Sequence, residues 1–250
     1  MNTGKRLRLN KLFRDDGRTF IVAIDHPTYG EIRGLERLKP LVKNIKEGGV
    51  DGFLANPGAI VNVLNDLSNT GLIMTVPYMK DYVKYAAKIG VDAIKTAYFG
   101  NPKIKEDDLD KISMMSAEAE EWGIPYILEL IPIDENGKYM YNPDILKVMC
   151  RIGAELGADV IKTVYAGPPE KFIDVIETSG VPIIIAGGEK MSSTTDFIKT
   201  IWEAIKAGAS GAAIGRNVWQ SSNPRLVAST VWKIIHNRID LNNALETLGV

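Results

Sequence analysis

Eight short apolar runs alternate with longer amphipathic stretches along the 250-residue sequence. The runs are apolar without a break, which is typical of parallel strands that are covered on both faces. Each run is predicted to be a strand: FIVAID (20–25), DGFLAN (51–56), LIMTV (72–76), DAIKTAYF (92–99), YILELI (126–131), DVIKTVY (159–165), PIIIAG (182–187) and GAAIGR (211–216). Strand–helix units at roughly thirty-residue spacing predict an α/β fold, a closed (β/α)8 barrel or TIM barrel. We expect residues 1–250 to form this barrel as a single domain.

The charge balance of the sequence argues against a large anionic partner. Thirty Lys and Arg residues face 31 Asp and Glu residues, which leaves a formal charge of −1. We therefore expect neither nucleic acid nor a membrane as a partner. The basic stretch at residues 1–18 has no apolar h-region after it, and no apolar run approaches the ~20 residues of a membrane span. These features predict a soluble cytoplasmic protein.

The sequence is poor in side chains that bind transition metals. Cys150 is the single cysteine, so an internal disulfide and a cysteine-based metal site are excluded. It falls in the helical pattern DILKVMCRIGAELG, where a buried structural thiol is favoured over a nucleophile. The two histidines, His26 and His236, do not suffice for a histidine-rich metal site. We therefore expect no metal and no other bound cofactor.

Four ionisable residues lie in or at the ends of the predicted strands: Asp25, Lys95, Glu129 and Lys162. Lysine and carboxylate side chains are rarely buried unless they are paired or functional. One explanation is structural, a charge-balanced pair of ion bridges that fills the barrel mouth. Buried ion pairs stabilise a fold only weakly, however, and barrel enzymes carry their chemistry at the carboxyl ends of the strands. The cluster therefore favours a catalytic site.

Two of these residues are lysines in nearly identical sequence contexts. Lys95 lies in GVDAIKTAYFGNP (90–102) and Lys162 in GADVIKTVYAGPP (157–169). Even-numbered strands of such a barrel contribute to the same interior layers, so the two side chains are predicted to lie close together. A Schiff-base lysine must be neutral to attack a carbonyl, and burial beside a second ammonium favours the neutral amine. One lysine is thus expected to keep the other nucleophilic and to contact the substrate.

The other charged residues of the cluster suit proton transfer. Glu129, on the strand between the two lysines, is well placed to move protons while a carbinolamine forms and collapses. Asp25, across the barrel mouth, could bind a substrate hydroxyl or take part in the C–C bond step. His26 follows it directly, and the residues leave open whether this histidine is catalytic or structural.

Two glycine-bearing stretches follow the last two predicted strands. AGGEK (186–190) comes after strand 7 and GRN (215–217) after strand 8. The loops after these strands are the usual phosphate site of such barrels, and an arginine offers a fork of donors that suits phosphate. Lys190 is equally consistent with a phosphate contact and with a solvated residue at the start of a helix. The predicted phosphate-binding residues are Gly187, Gly188, Gly215 and Arg216.

Several of these motifs together resemble the archaeal-type class I fructose-bisphosphate aldolases. Their relatives include aminodideoxyheptulosonate synthase, the thiolase that processes phospho-autoinducer-2, and the tagatose-bisphosphate aldolases. The resemblance spans nearly the whole chain and is clearest in DGRTFIVAIDHP, EWGIPYILELIP, ELGADVIKTVYAG, PIIIAGGEK and GAAIGRNVWQ. It implies that Lys162 forms the Schiff base and that Asp25 lies in the active site. It also implies that the Gly-Gly and Gly-Arg pairs bind substrate phosphate.

The sequence departs from this family at two informative positions. Fructose-bisphosphate aldolases of this type carry a tyrosine acid/base before the strand-5 proline, where this chain has Ile131. The family usually has glycine after its Asp-His pair, where this chain has Pro27. The strand-4 lysine (Lys95) and strand-5 glutamate (Glu129) instead resemble the tagatose-bisphosphate aldolases, so the chain combines features of two branches.

The sequence therefore predicts a class I aldolase that acts on a phosphorylated ketose or ketose-like sugar. Lys162 is the predicted nucleophile, Glu129 with Asp25 the proton shuttle, and Lys95 the residue that tunes the amine. A transaldolase or an acyl transferase with the same Schiff base is the nearest alternative. A non-catalytic, ligand-binding barrel is an alternative of another class. We also expect a homo-oligomer.

Overall fold

The computed structural model describes residues 2–67 and 69–250, without the side chains of residues 64 and 65. Eight parallel strands close into a barrel, in which each strand pairs with the next along the chain and the last pairs with the first. The strands are β1 (Thr19–Ala23), β2 (Gly52–Ala55), β3 (Gly71–Thr75), β4 (Ala93–Gly100), β5 (Tyr126–Pro132), β6 (Val160–Thr163), β7 (Ile183–Ala186) and β8 (Gly211–Ile214). The predicted (β/α)8 fold is confirmed.

Helices surround the barrel in the expected alternation. They are α1 (Thr3–Leu12), α2 (Leu38–Gly48), α3 (Pro57–Val63), α4 (Lys80–Ile89), α5 (Glu106–Glu121), α6 (Pro143–Glu155), α7 (Pro169–Ser179), α8 (Thr194–Lys206), α9 (Arg216–Trp219), α10 (Pro224–Ile235) and α11 (Leu241–Leu248), with 3-10 helices at His26–Tyr29 and Leu64–Leu67. Among the described residues, no helix combines the length and the apolar character that crossing a bilayer requires. Cys150 lies buried inside α6, where burial raises the pKa of its thiol to about 12, as a structural thiol requires.

The barrel interior is an apolar layer beneath a charged one. Its apolar layer contains Ile21, Leu54, Ile73, Ala93, Ile127, Val160, Ile184 and Ala213, closed from below by Leu12. Because side chains alternate along a strand, the residue two positions beyond an interior residue also faces the barrel axis. Three such pairs are Ala93 and Lys95, Ile127 and Glu129, and Val160 and Lys162. The strand period therefore directs the charged side chains inward, at the carboxyl end of the barrel.

A repeated aspartate organises the amino end of the barrel. Asp51, Asp92 and Asp159 each immediately precede an even-numbered strand. Each carboxylate accepts a hydrogen bond from the backbone N–H at or near the start of the preceding strand, at 2.7–2.8 Å: from Phe20, Leu72 and Tyr126, respectively. These bonds link neighbouring strands on the side of the barrel away from the charged layer.

The N-terminal helix α1 covers this end of the barrel and neutralises the three aspartates. Its basic side chains, with one from the following turn, form the ion pairs Lys5–Asp159 (2.8 Å), Lys11–Asp92 (2.9 Å) and Arg14–Asp51 (2.6 Å). Lys5 is also 3.0 Å from Glu120 and is only 2% exposed. Two lysines of TGKRLRLNKL, Lys5 and Lys11, thus pair with residues far away in the sequence.

His236 joins the end of α10 to the same region. Its Nδ1 lies 2.7 Å from Asp16 Oδ2, and its Nε2 lies 2.9 Å from Asp51 Oδ2. Burial lowers the pKa of His236, but the hydrogen bonds to the two carboxylates outweigh that effect and raise it above 6.5. Arg14 and Trp232 also contact Asp51, and the Trp232 ring packs on the imidazole. Both ring nitrogens face carboxylates, which is the arrangement of an imidazolium ion.

We predict that His236 stabilises the fold in a pH-dependent way. A raised pKa in the folded chain means that the contribution is complete below pH 6.5 and is lost as the pH rises through the folded value. The His236→Gln variant should lose about 1.5–3 kcal/mol of unfolding free energy at about pH 6, and less at about pH 9. Urea denaturation at the two pH values measures this.

The matched control is His26→Gln. Burial lowers the pKa of His26 to about 4, so its pH dependence has the opposite sign: the native histidine costs stability as the pH falls below 6.5. Equal destabilisation of His236→Gln at both pH values would show that folding does not raise the pKa of His236.

Candidate active site

One buried carboxylate joins the two lysines. Glu129 Oε1 lies 2.6 Å from Lys162 Nζ, and Glu129 Oε2 lies 2.9 Å from Lys95 Nζ. Lys95 Nζ is also 3.0 Å from Asp25 Oδ2. The four side chains therefore form one line of alternating charge, and none of the four residues is more than 6% exposed. Two carboxylates and two ammonium groups give this line no net charge.

The strand register produces this order. Glu129 on β5 is the direct pairing partner of Lys162 on β6, so both side chains point inward at the same height. Lys95 on β4 pairs with Ile127, one interior position lower on β5, and its long side chain reaches up to Glu129. Asp25 lies two residues beyond the end of β1 and completes the line from the other side of the barrel.

The mutual pairing holds three of the four groups in their charged forms. Burial raises the pKa of Glu129, but Lys162 and Lys95 outweigh it and hold the pKa below its usual range. Asp25 behaves in the same way, with Lys95 and Lys162 and a 2.7 Å hydrogen bond from Thr75 Oγ1 lowering its pKa. For Lys95, burial lowers the pKa, and Glu129 and Asp25 more than offset this and raise it. Lys95 is therefore a permanent cation of the site.

His26 is a neutral imidazole at the edge of this cluster. Burial is the main cause that lowers its pKa to about 4, and the nearby Asp25 offsets it only in part. Its Nδ1 is 3.6 Å from Asp25 Oδ1, which is too long for a hydrogen bond. The ring packs edge-on against Trp219, at 5.3 Å between centroids, and a Cβ on Gly215 would collide with it. His26 thus fills space between β1 and β8 and offers an uncharged polar atom.

The charged cluster lies at the base of a cavity of about 450 Å³ at the carboxyl end of the barrel. Every predicted site residue lines it except Lys95, which lies beneath the surface and is 1% exposed. The predicted residues on the wall are Asp25, His26, Glu129, Lys162, Gly187, Gly188, Gly215 and Arg216. The wall also contains side chains that sequence reasoning did not name, among them Tyr29, Glu31, Phe99, Tyr139 and Glu189, and Ile131 lines it as well.

The β7 and β8 loops form one wall of the cavity. Arg216 Nη2 donates to the Gly188 carbonyl at 3.0 Å, while its Nε is buried and makes no hydrogen bond to any described residue. Asn217 holds the β7 loop in place, because its amide donates to the carbonyls of Gly187 and Glu189 and accepts from the Met191 N–H. The guanidinium is thus fixed at the wall with donor capacity that the described residues leave unused. Lys190 lies outside this wall, on a neighbouring cavity.

Some members of the site carried no recognisable signal in the sequence. Thr75 ends an ordinary apolar strand, and its bond to Asp25 joins residues 50 positions apart. Tyr29 ends the 3-10 helix His26–Tyr29, and Tyr139 lies in the segment between β5 and α6, so neither aromatic residue belongs to a periodic pattern that would mark it. The described residues contain no group of three or more His, Cys, Asp or Glu side chains that could hold a metal ion.

Comparison with known sequences gives consistent matches over the whole chain. The profile of a family described as DeoC/LacD family aldolase matches residues 19–221. An uncharacterized aldolase of Saccharolobus solfataricus is 32% identical, over 98% of this chain and 99% of that protein. A 2-amino-3,7-dideoxy-D-threo-hept-6-ulosonate synthase of Archaeoglobus fulgidus is 27% identical, over 98% of this chain and 96% of that protein.

Comparison with solved structures supports the same fold. An archaeal fructose 1,6-bisphosphate aldolase superimposes with a TM-score of 0.81 at 23% identity, over 93% of this chain and 99% of that chain. A Schiff-base-forming fructose-1,6-bisphosphate aldolase, studied through its reaction intermediates, superimposes with a TM-score of 0.80. It is also 23% identical, over 92% of this chain and 99% of that chain.

The two histidines should titrate at very different pH values. Since the chain has no others, imidazole NMR signals of 15N-labelled protein can be assigned with a single His26→Gln variant. We predict that His26 remains neutral at about pH 5, whereas His236 is still protonated above its ordinary value. Titration of His26 at its ordinary value would show that the imidazole is solvated, and not packed against Trp219 and Gly215.

Proposed function

The chain belongs to the DeoC/LacD aldolase family, and we propose that it is a class I aldolase whose Lys162 forms a Schiff base with a phosphorylated ketose. The observation that carries this proposal is the single carboxylate of Glu129, which lies between two buried lysines at the base of the cavity. A buried ion network of this kind adds little stability by itself. The proposal is supported by the 2.6 Å distance between the Glu129 carboxylate and the Lys162 amine, both of which line the cavity.

The surroundings of the two amines favour Lys162 as the nucleophile. Lys162 lines the cavity, and Glu129 is the one carboxylate within ion-pair distance of it among the described residues. Lys95 is held by two carboxylates, is almost completely buried and does not line the cavity. An amine that must lose a proton and approach a carbonyl carbon needs both access and a nearby base, and Lys162 has both.

Glu129 is proposed to carry the protons of Schiff-base formation. Because its pKa is held below the usual range, it is a carboxylate at rest and can accept a proton from Lys162. The free amine then adds to the ketone carbon, and the oxygen of the resulting carbinolamine takes up a proton and leaves as water. The iminium that remains keeps the positive charge beside Glu129, so the ion pair persists through the step.

The C–C bond step needs a base at the hydroxyl of the β-carbon, the carbon that leaves as the aldehyde when the bond breaks. Asp25 is the proposed group, alone or through Glu129, because it lines the cavity and is ionised. As it removes the hydroxyl proton, the C–C bond breaks, the aldehyde leaves, and the electron pair moves into the iminium to give an enamine. Lys95 balances the two carboxylates during this charge movement. Protonation of the enamine and hydrolysis of the iminium release the ketone.

The phosphate group of the substrate is proposed to bind at the β7 and β8 loops. Arg216 supplies the positive charge, and Gly187, Gly188 and Gly215 let the backbone approach closely. No metal takes part in this proposal, since the Schiff base itself withdraws the electrons.

We predict that substitution of Lys162 abolishes both adduct formation and turnover, whereas substitution of Lys95 reduces turnover but still allows the adduct to form. With dihydroxyacetone phosphate and borohydride, Lys162→Met should gain no adduct mass and should lose all activity. Lys95→Met should still be trapped, with turnover reduced by about 10²-fold, because a cation beside Glu129 and Asp25 is lost. Intact-mass spectrometry and steady-state rates measure both effects, with circular dichroism to confirm folding. An adduct retained by Lys162→Met and lost by Lys95→Met would reverse the assignment.

We also predict that Arg216 acts through substrate binding. Arg216→Ala removes a charged hydrogen bond to the phosphate and should weaken binding by about 1.5–3 kcal/mol, with the larger change in KM. The matched control is Arg151→Ala, an exposed arginine on α6 that pairs with Glu155 away from the cavity. An unchanged KM in the Arg216→Ala variant would mean that the phosphate binds elsewhere.

A further inference from the structure

The positive charge of the cavity is concentrated on one side. Among the described residues that line it, the cations are Lys162 and Arg216, and the anions are Asp25, Glu31, Glu129 and Glu189. Lys162 is paired with Glu129 at 2.6 Å, and in the proposed function it carries the carbonyl carbon. Lys95 lies below the cavity surface, where it is paired with Asp25 and Glu129 and also interacts with the Tyr29 phenol. Arg216 is thus the one lining cation available to a phosphate group.

The opposite side of the cavity is aromatic and acidic. Arg216 follows β8, and Phe99 lies near the end of β4, the strand diametrically opposite in the barrel order. Tyr29 reaches across the mouth to Phe99, with 6.3 Å between ring centroids, and Phe99 contacts Tyr139 at 6.2 Å. Glu31 follows Tyr29 by two residues in the loop after β1 and also lines the cavity. We call Tyr29, Glu31, Phe99 and Tyr139 the far wall.

The position of Lys162 orients a substrate between these two sides. A ketose whose phosphate binds Arg216 and whose carbonyl carbon bonds to Lys162 directs its remaining carbons away from β8. Those carbons form the aldehyde half that leaves, and they meet the far wall. A second phosphate group there would carry a charge of about −1.5 to −2 against Glu31, with no lining cation to balance it.

The far wall suits the uncharged end of a sugar substrate. Burial raises the pKa of the Tyr29 and Tyr139 phenols, so both keep their protons at neutral pH and can exchange hydrogen bonds with sugar hydroxyls. Their ring faces and that of Phe99 offer apolar surface to carbon-bound hydrogens. Resting on the proposed function, we infer that this site takes ketoses phosphorylated at one end only, and releases an aldehyde that carries no phosphate.

The alternative is that two nearby lysines bind a second phosphate group. Lys138 and Lys190 line a neighbouring cavity of about 730 Å³, which shares Tyr139 and residues 186–189 with the catalytic cavity. A bisphosphate that bent around Tyr139 would reach them. Lys138 directly precedes the far-wall residue Tyr139, but it lines the neighbouring cavity together with Lys190, and neither lysine lines the catalytic cavity.

The test compares ketoses that differ only in the second phosphate. Cleavage is measured for the 1-phosphates and the 1,6-bisphosphates of D-fructose and D-tagatose, with borohydride trapping in parallel. The expected result is a kcat/KM at least about tenfold higher for the monophosphate of each pair that is cleaved, since like charges in close contact are strongly unfavourable. A preference for the bisphosphate would overturn the inference while leaving the Schiff base intact. A chain that traps no adduct with any of the four sugars would contradict the proposed function itself.

Charge-reversal variants test whether Glu31 causes the preference for the monophosphate. Glu31→Lys should shift the ratio toward the bisphosphate by about tenfold or more, because it supplies the missing cation on the far wall. The matched control, Glu177→Lys on the exposed face of α7, should leave the ratio unchanged. An unchanged ratio in Glu31→Lys would overturn the assignment of the far wall. If the bisphosphate is preferred and Lys138→Ala/Lys190→Ala abolishes that preference, the second phosphate binds in the neighbouring cavity and the inference is wrong.

Discussion

The site depends on one carboxylate that two buried lysines share. Removing Glu129 would leave two ammonium groups in a low-dielectric interior with Asp25 as their only nearby anion among the described residues, an arrangement that costs several kcal/mol. The shared carboxylate also makes the lysines unequal: Lys95 is held from both sides as a fixed cation, and Lys162 keeps one partner and faces the cavity. Chemical asymmetry thus arises from two nearly identical strand sequences.

The ion pairs of the amino end and the proposed catalytic cluster lie at opposite ends of the barrel, and enzymes of this architecture usually carry their chemistry at the carboxyl end. At the amino end, Asp51, Asp92 and Asp159 join neighbouring strands, and the basic residues of α1 with Arg14 neutralise them. An apolar interior layer separates this end from the charged one. Ion pairs at the amino end can therefore support the strands without altering the electrostatics around Lys162.

Much of this could be predicted from the sequence, for physical reasons. Unbroken apolar runs mark strands covered on both faces, and Lys95, Glu129 and Lys162 are conspicuous because such runs exclude charge. Helix α1 was not predicted, because the sequence of this helix has no amphipathic pattern. The basic side chains of α1 and of the turn after it pair instead with aspartates more than 30 residues away in the sequence. Tyr29 and Thr75 were missed because their contacts join residues that are distant in the sequence. Tyr29 meets Phe99 across the cavity, and Thr75 meets Asp25 only when the barrel is formed.

The central claim is that Lys162, and not its twin, forms the covalent intermediate. Peptide mapping of the unmodified chain after borohydride reduction with a ketose phosphate tests it most directly, because it locates the added mass without any substitution. The structure predicts that the mass lies on the peptide that contains Lys162, within GADVIKTVYAGPP. Added mass on the peptide that contains Lys95, within GVDAIKTAYFGNP, would contradict the account.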